Sequence, residues 1–264
     1  MSKIAVITGG TSGIGLATAK ELLNNGCTVY EFSRRESGAV EGVTHIRADV
    51  TKEADVRAAV EEVVRREGRI DILINNAGFG ISGAIEFTPA AEARHQFDVN
   101  FFGMVNMNLA VLPVMRENGG GRIINMSSVA APIAIPFQAY YSASKSAVRT
   151  YSLALANEVR PFGIEVVTIM PGDIHTGFTA AREKLHEGDD IYNGRIGRSV
   201  AVMEHDETTG MTPEQAGAFI RDKALRKNPA PVYTIGGKYQ LFVFLTRLMS
   251  TRFLNSAVGK IYAK

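Results

Sequence analysis

Short runs rich in β-branched residues alternate with amphipathic stretches along nearly the whole chain, and this alternation limits the fold more than any single motif does. Residues 4–8, 28–32, 43–48, 70–75, 122–126, 165–170 and 231–235 read as strands, many of them continuously apolar as buried parallel strands are. Between them, 14–25, 51–67, 91–118, 139–159 and 212–227 carry helical spacing. In 51–67, for example, Val56, Val60, Val63 and Val64 form one stripe opposite the charges. Gly26 follows the first helix as a C′ residue, and Pro113 is a kink point in the third, which the triplet Gly119, Gly120 and Gly121 ends. Thr212 and Pro213 open the last helix as N-cap and N1. No repeat or linker interrupts the pattern. The expectation is an α/β fold over one domain, 1–264, with a single doubly wound parallel sheet of about seven strands and helices on both faces. Ligands of such sheets sit beyond the carboxyl ends of the strands, at the switch point.

Composition narrows the function classes. The chain has 264 residues, 45% of them apolar and 21% charged, a globular balance. Its net charge of +2 does not suggest a nucleic-acid partner. The one cysteine, Cys27, excludes an intrachain disulfide and any multi-cysteine zinc site, which fits a reducing compartment. The start, MSKIAVITGG, does not read as a signal peptide, and no apolar run approaches the ~18 residues of a membrane span, so a cytoplasmic, soluble protein is expected.

The residues with chemistry to offer follow the strands. Thr8, Gly9, Gly10, Thr11, Ser12, Gly13, Ile14 and Gly15 join the first strand to the first helix. Gly9 permits a tight turn, Gly13 lets backbone approach a phosphate, and Gly15 lets the helix pack close to the sheet. A pyrophosphate would then meet the helix N-terminus, where free N–H groups and the dipole favour negative charge. A Gly-rich turn without a ligand is the plainer alternative. Further along, Tyr141 and Lys145 lie four residues apart and so share a helix face. A free phenol, with a pKa near 10, is a poor base at neutral pH, and a nearby ammonium lowers that value. The pair therefore suits general acid–base work, although an exposed helical pair is the plainer reading. Tyr140 has no lysine four residues on and is assigned to packing. Asn75, Asn76, Ala77 and Gly78 end the fourth strand, and Ser127 and Ser128 end the fifth.

The spacing T-G-x-x-x-G-x-G, with N-N-A-G, a serine thirteen residues before the tyrosine and Tyr-x-x-x-Lys, resembles the short-chain dehydrogenase/reductase family over residues 3 to about 236. That resemblance implies a Rossmann-type fold and a hydride transfer between a nicotinamide cofactor and a carbonyl or alcohol. It implies Asn100, Ser128, Tyr141 and Lys145 as the catalytic set, with Ser128 preferred to Ser127 by its spacing. Ser128 would hold the substrate oxygen and Tyr141 would exchange its proton. Lys145 would bond the nicotinamide ribose and lower the Tyr141 pKa, and Asn100 would hold a water linking Lys145 to solvent. Thr8, Gly9, Thr11, Ser12, Gly13, Ile14, Gly15, Asn76, Ala77, Gly78, Pro171, Gly172, Ile174 and Thr176 would line the cofactor, as would Asp49 and Val50 beside its adenine. Asp49 reads equally well as a cap for the next helix.

The family's ribose-selecting position is Ser33 here, followed by Arg34 and Arg35. A hydroxyl and two guanidiniums suit a 2′-phosphate, to which Ser12 adds a donor, so NADP(H) is expected. Glu31 is the objection. Pointed at the ribose, it would favour NAD(H). No metal site is expected, and His175, His186 and His205 read as surface residues. Phe79, Gly80, residues 129–137 and a lid at 173–210 are the expected pocket walls, and their apolar character points to a steroid-, retinoid- or lipid-like substrate. Arg182, Lys184, Arg195 and Arg198 in the lid leave an acidic carbonyl substrate open. The resemblance also implies a homodimer or homotetramer.

From Arg221 onward nine Lys/Arg face one acidic residue, Asp222. Within this tail, 238–264 reads as one basic amphipathic helix with Leu241, Phe244, Leu245, Leu248 and Met249 in helical register. Covering the pocket, joining an oligomer interface and touching a membrane peripherally are its three readings. A nucleotide-binding regulator with little turnover and a membrane-surface interaction protein are the other function classes to weigh.

Overall fold

The computed structural model describes residues 2–263, so the ends of the expected domain and tail, Met1 and Lys264, lie outside the described residues. The chain folds in the order β1 (Ile4–Thr8), α1 (Gly13–Asn24), β2 (Thr28–Ser33), β3 (Thr44–Arg47), α2 (Glu53–Glu67), β4 (Ile72–Asn75) and β5 (Ile81–Ser82). It continues through α3 (Ala90–Phe97), α4 (Gly103–Glu117), β6 (Gly121–Met126), α5 (Ala139–Val159) and β7 (Ile164–Pro171). The last part holds α6 (Phe178–Ala181), β8 (Glu183–Lys184), α7 (Arg195–Thr208), α8 (Pro213–Leu225), β9 (Val232–Ile235), α9 (Gly237–Thr246) and α10 (Thr251–Tyr262).

Seven strands form one parallel sheet in the order β3-β2-β1-β4-β6-β7-β9, and β5 and β8 form a small second pair. The chain turns back on itself between β1 and β4, which sets the switch point beside the glycine loop. Because side chains alternate across a strand, each strand feeds two cores. Val6, Tyr30, Phe32, Leu73 and Ile123 pack under α2, α4 and α5. Ile7, Val29, Ile74, Ile124 and Ile169 pack under α1 and α8. The last helix of that layer starts as the sequence indicates. Thr212 accepts from the Gln215 N–H while Gln215 reaches back to Thr212, with Pro213 at the first helical position.

Four sequence expectations need correction. The helix expected over 91–118 is divided by a π turn, Asp98–Phe102, which inserts Asn100 into the interior. By length and composition the continuous segment Ala90–Glu117 does pass as a membrane span, contrary to the expectation that no such run exists. Here, Met104, Met107, Val111 and Met115 turn one side of it into the core. The stretch 173–210 is not all loop, because α6 and α7 lie within it. Finally, the tail is two helices rather than one. α9 and α10 are separated at residues 247–250, where the Ser250 hydroxyl caps α10.

Candidate active site

A cavity of about 830 Å³ runs along the carboxyl ends of the strands. At one end Gly9, Thr11, Ser12, Gly13, Ile14 and Gly15 line it. A Cβ on Gly15 would stand 2.2 Å from the Gly9 carbonyl oxygen and 2.5 Å from Asn76 Nδ2, so only glycine permits this crossing of loop and strand end. Asn76 closes the crossing from the other side, its Nδ2 donating to the carbonyls of Thr8 and Gly9 at 3.0 and 3.1 Å. Thr8 does not line the cavity. Its Oγ1 accepts from the N–H groups of Asn76 and Ala77, both at 3.0 Å, and so ties β1 to the end of β4.

This end suits an anionic dinucleotide on its own chemistry. The first N–H groups of α1 have no acceptor within the helix. The first turn carries no acidic residue, and Ser12 makes no capping bond with its side chain. Ser33, Arg34 and Arg35 line the cavity just beyond, with Arg35 Nη1 donating to the Thr11 carbonyl at 3.3 Å. Glu31 does not line it. Only 1% exposed, it is turned beneath the loop against Gly10 and paired with His45. Asp49 and Val50 complete the wall. Burial works to raise the Asp49 pKa, but bonds from Thr51 and the charge of Arg34 hold it below the usual carboxylate range. Those Thr51 bonds, at 3.0 Å from N–H and 2.8 Å from the hydroxyl, precede the helix, whose N-cap is Lys52.

In the middle of the cavity Ser128, Tyr141 and Lys145 come together with Ala77 and Gly78. Ser128 and Ser127 divide their work. Ser127 donates to the Lys145 carbonyl at 2.8 Å and is thereby occupied in structure, whereas Ser128 faces the cavity and accepts from the Ala130 N–H at 3.1 Å. Lys145 Nζ donates to the Met126 carbonyl at 2.9 Å and stands 5.7 Å from the centre of the Tyr141 ring. Burial pushes the tyrosine up to about 12, against a lowering bond from Ser128, and pushes the lysine down to about 8. In the protein by itself Tyr141 therefore stands above its ordinary value, where the sequence led to the expectation of a lowered one, because desolvation outweighs the bond from Ser128.

Asn100 lies one layer behind the cavity rather than in its wall. Its Oδ1 accepts from the Phe79 N–H, and its Nδ2 donates to the Phe79 carbonyl and to Ser144 Oγ, at 3.0, 3.0 and 3.2 Å. It still neighbours Lys145 across Gly78, where a Cβ would meet Asn100 Oδ1 at 3.0 Å and Lys145 Nζ at 3.4 Å. Below it, Asn75 Nδ2 donates to Asn108 Oδ1 and Asn125 Oδ1, and Asn125 Nδ2 donates to Ser152 Oγ. This buried polar chain pins β4 and β6 to α4 and α5 beneath the reacting centre.

Pro171, Gly172, Ile174 and Thr176 form the near wall, as the sequence placed them. Thr176 packs on Gly13, and its hydroxyl accepts from the Phe178 N–H at 3.1 Å. The Phe178 ring leans on Tyr141, with centres 5.8 Å apart, and the Arg182 guanidinium stands 5.7 Å from the same ring's centre.

The far end is an apolar chamber, only partly foreseen. Phe79, Val129, Ile133 and Ile135 line it as expected, but Gly80 and Phe137 do not, and Phe137 packs instead with Ala84 and Ile196. Met203, on α7, comes from the lid expected at 173–210, and Phe242, Val258 and Ile261, on α9 and α10, match the reading of the tail as a cover for the pocket, although none of the four was singled out by residue. The lid cations are committed elsewhere. Arg182 is buried against Glu207, Lys184 pairs with Glu204, Arg195 holds the Ala263 carbonyl and Arg198 the Asn193 carbonyl. None of the four lines the cavity, which removes the support for an acidic substrate. Polar groups line the cavity here as well, among them Asp173, Glu183, Glu207, Tyr239 and Tyr262. Tyr239 donates to Asp173, whose pKa burial raises.

The profile of the short chain dehydrogenase family matches residues 3–186, more than half the chain. The chain belongs to the short-chain dehydrogenase/reductase family. Among curated relatives, it is 45% identical to a 3-ketodihydrosphingosine reductase from Bacteroides thetaiotaomicron over 229 residues, 86% of this chain and 85% of that one. Among solved structures, a short-chain dehydrogenase from Streptomyces avermitilis superposes with a TM-score of 0.86 at 31% identity, covering 98% of this chain and 97% of that one. A 3-ketoacyl-(acyl-carrier-protein) reductase from Brucella melitensis, complexed with NADH, gives 0.76 at 27% identity over 90% and 98% of the two chains. ElxO with NADP bound gives 0.76 at 27% identity over 91% and 100%. The protein is therefore an oxidoreductase of the type that uses a nicotinamide cofactor and acts on small molecules.

Proposed function

We propose that this oxidoreductase is an NADPH-dependent reductase of a long-chain ketone, with 3-ketodihydrosphingosine, a 2-amino ketone, as the leading substrate. The observation that carries the reading is the continuity of the cavity. One space begins at the glycine loop and the Arg34–Arg35 corner, passes Ser128 and Tyr141, and ends in the chamber of Met203, Phe242, Val258 and Ile261.

Gly9, Thr11, Ser12, Gly13, Ile14 and Gly15 would hold the pyrophosphate, with Asn76, Ala77, Gly78, Pro171, Gly172, Ile174 and Thr176 along the nicotinamide half and Asp49 and Val50 at the adenine. Arg34, Arg35 and Ser33 favour a 2′-phosphate, and the turning of Glu31 toward His45 removes the acid that would favour a free ribose hydroxyl. The nicotinamide supplies a hydride when bound. Ser128 holds the ketone oxygen and stabilises the negative charge that grows on it. Tyr141, protonated throughout the neutral range, gives that oxygen its proton. Lys145, charged below about 8, sits beside the tyrosine and stabilises its phenolate once the proton has left. Asn100 positions the Gly78–Phe79 backbone against Lys145, and Phe178 keeps water from the Tyr141 ring. The apolar chamber suits an alkyl chain, and Asp173, whose carboxylate accepts from Tyr239 and is not paired to a guanidinium, offers a partner for the ammonium beside the ketone.

The test is the rate of NADPH oxidation with 3-ketodihydrosphingosine, a long-chain ketone without the amine, and a short water-soluble ketone, each repeated with NADH. Fastest turnover with NADPH and the amino ketone, abolished in Tyr141→Phe, is the expected result. Equal or better use of NADH overturns the cofactor assignment, and preference for the short ketone overturns the substrate assignment.

A further inference from the structure

Ten large apolar side chains are exposed among the described residues, and five of them, Leu241, Phe244, Leu248, Phe253 and Ile261, belong to α9, α10 and the turn between. Each of these helices buries one residue only, Val243 and Val258. α9 is apolar beyond the side it packs with, which a helix resting in water avoids. Exposed beside these side chains are Lys238, Arg247, Arg252 and Lys260, and no Asp or Glu follows Asp222 in the chain. The same helices wall the apolar chamber through Phe242, Val258, Ile261 and Tyr262, and Ile261, at 49% exposed, belongs to both surfaces.

We propose that α9 and α10 form a docking face for an anionic lipid bilayer, with the chamber opening onto it. Apolar side chains set among cations match a surface of acyl chains under anionic headgroups. A second copy of the chain seated on this face would bring the four cations against the same four, an arrangement that like charges oppose. An acidic protein would answer the cations but leave the phenylalanines and leucines without an apolar partner. The face stands on exposure and charge and does not depend on which ketone is reduced.

The experiment is flotation of the full chain with vesicles of phosphatidylcholine alone and of phosphatidylcholine mixed with phosphatidylglycerol, at low and high salt, alongside light scattering for the subunit count. Binding to the phosphatidylglycerol vesicles that weakens with salt is expected, with little on phosphatidylcholine. Phe244→Asp combined with Phe253→Asp lowers the bound fraction at least tenfold while turnover of a water-soluble ketone stays unchanged, since neither residue lines the cavity. Arg247→Gln with Arg252→Gln weakens binding mainly at low salt. Absence of wild-type binding to either vesicle, or equal binding to both at all salts, overturns the proposal. So does a wild type that ignores vesicles and an oligomer that dissociates with the aspartate substitutions, which would make this face a contact between copies.

Discussion

The glycine-loop end of the cavity is walled by backbone that the sheet fixes in place, whereas the far end is walled by side chains carried on helices that follow β7 and β9. At the first end Thr8, Asn76 and Gly15 lock two strand ends together at van der Waals limits. At the second, α10 is tied to the body through the Arg195 bonds to the Ala263 carbonyl and its packing on α7. The invariant part of the chemistry needs geometry accurate to a fraction of an ångström, and backbone supplies it. The part that must receive a ligand of varied shape is left to helices that can be exchanged without disturbing the sheet.

The largest expected effect lies where the two ends meet. Tyr141→Phe removes the proton donor but keeps the ring against Phe178, so turnover falls about 10²- to 10⁴-fold while the thermal midpoint and nucleotide affinity hold. Steady-state rates beside a melting curve check this, and a loss of stability equal to the loss of rate would erase the distinction between chemistry and scaffold.

Next in size is the pH response of the protein without added nucleotide. Lys145 titrates near 8 in the fold against an ordinary value of 10.5, so between those values the unfolded chain binds more protons and stability rises with pH. The gain attributable to Lys145 is at most about 3 kcal/mol, and Lys145→Met abolishes it. Tyr141, raised to about 12, acts oppositely, and its contribution is lost as pH climbs from 10 toward 12. Urea midpoints at a series of alkaline pH values read both slopes.

Gly15→Ala tests the backbone end directly. Its methyl would overlap the Gly9 carbonyl, at a cost of about 1–3 kcal/mol in stability, and nucleotide binding measured by fluorescence is expected to fall with it. Substitutions of comparable size in the far chamber, such as Met203→Leu, are expected to cost under about 1.5 kcal/mol and to alter ketone preference instead. The smallest effect is at the rim. Arg34→Ala weakens NADPH about tenfold and leaves NADH unchanged, because one exposed guanidinium on a phosphate is worth only about 1–2 kcal/mol. Equal losses for both nucleotides would show that Arg34 holds the loop rather than the phosphate.

The sequence was most legible at the backbone end. Strand patterns placed the seven strands of the main sheet within a residue or two but not the short pair β5 and β8, and the residues after those seven fell on one cavity because parallel strands all point their carboxyl ends the same way. The far end was legible only in composition. That the chain beyond Arg221 is basic and apolar was plain, and Ser250 is a local cap signal for the second helix, but the use of one side to wall the chamber depends on tertiary packing, including that of α10 on α7, which no local pattern encodes. The π turn at Asp98–Phe102 escaped for a related reason, since one extra residue in a turn leaves the helical spacing on either side intact. The fate of Arg182 followed from a carboxylate twenty-five positions away, Glu207, which holds it out of the cavity wall.

Gly172 carries a consequence for how this lineage can change. The ring of Tyr239 lies so close over it that a Cβ there would stand 2.0 Å from a ring carbon. A methyl at 172 therefore evicts the tyrosine, and with it the hydroxyl that bonds Asp173. A side chain at 172 therefore requires a smaller or displaced residue at 239. The seating of α9, the first helix of the proposed docking face, thus depends on one hydrogen atom in the cavity wall.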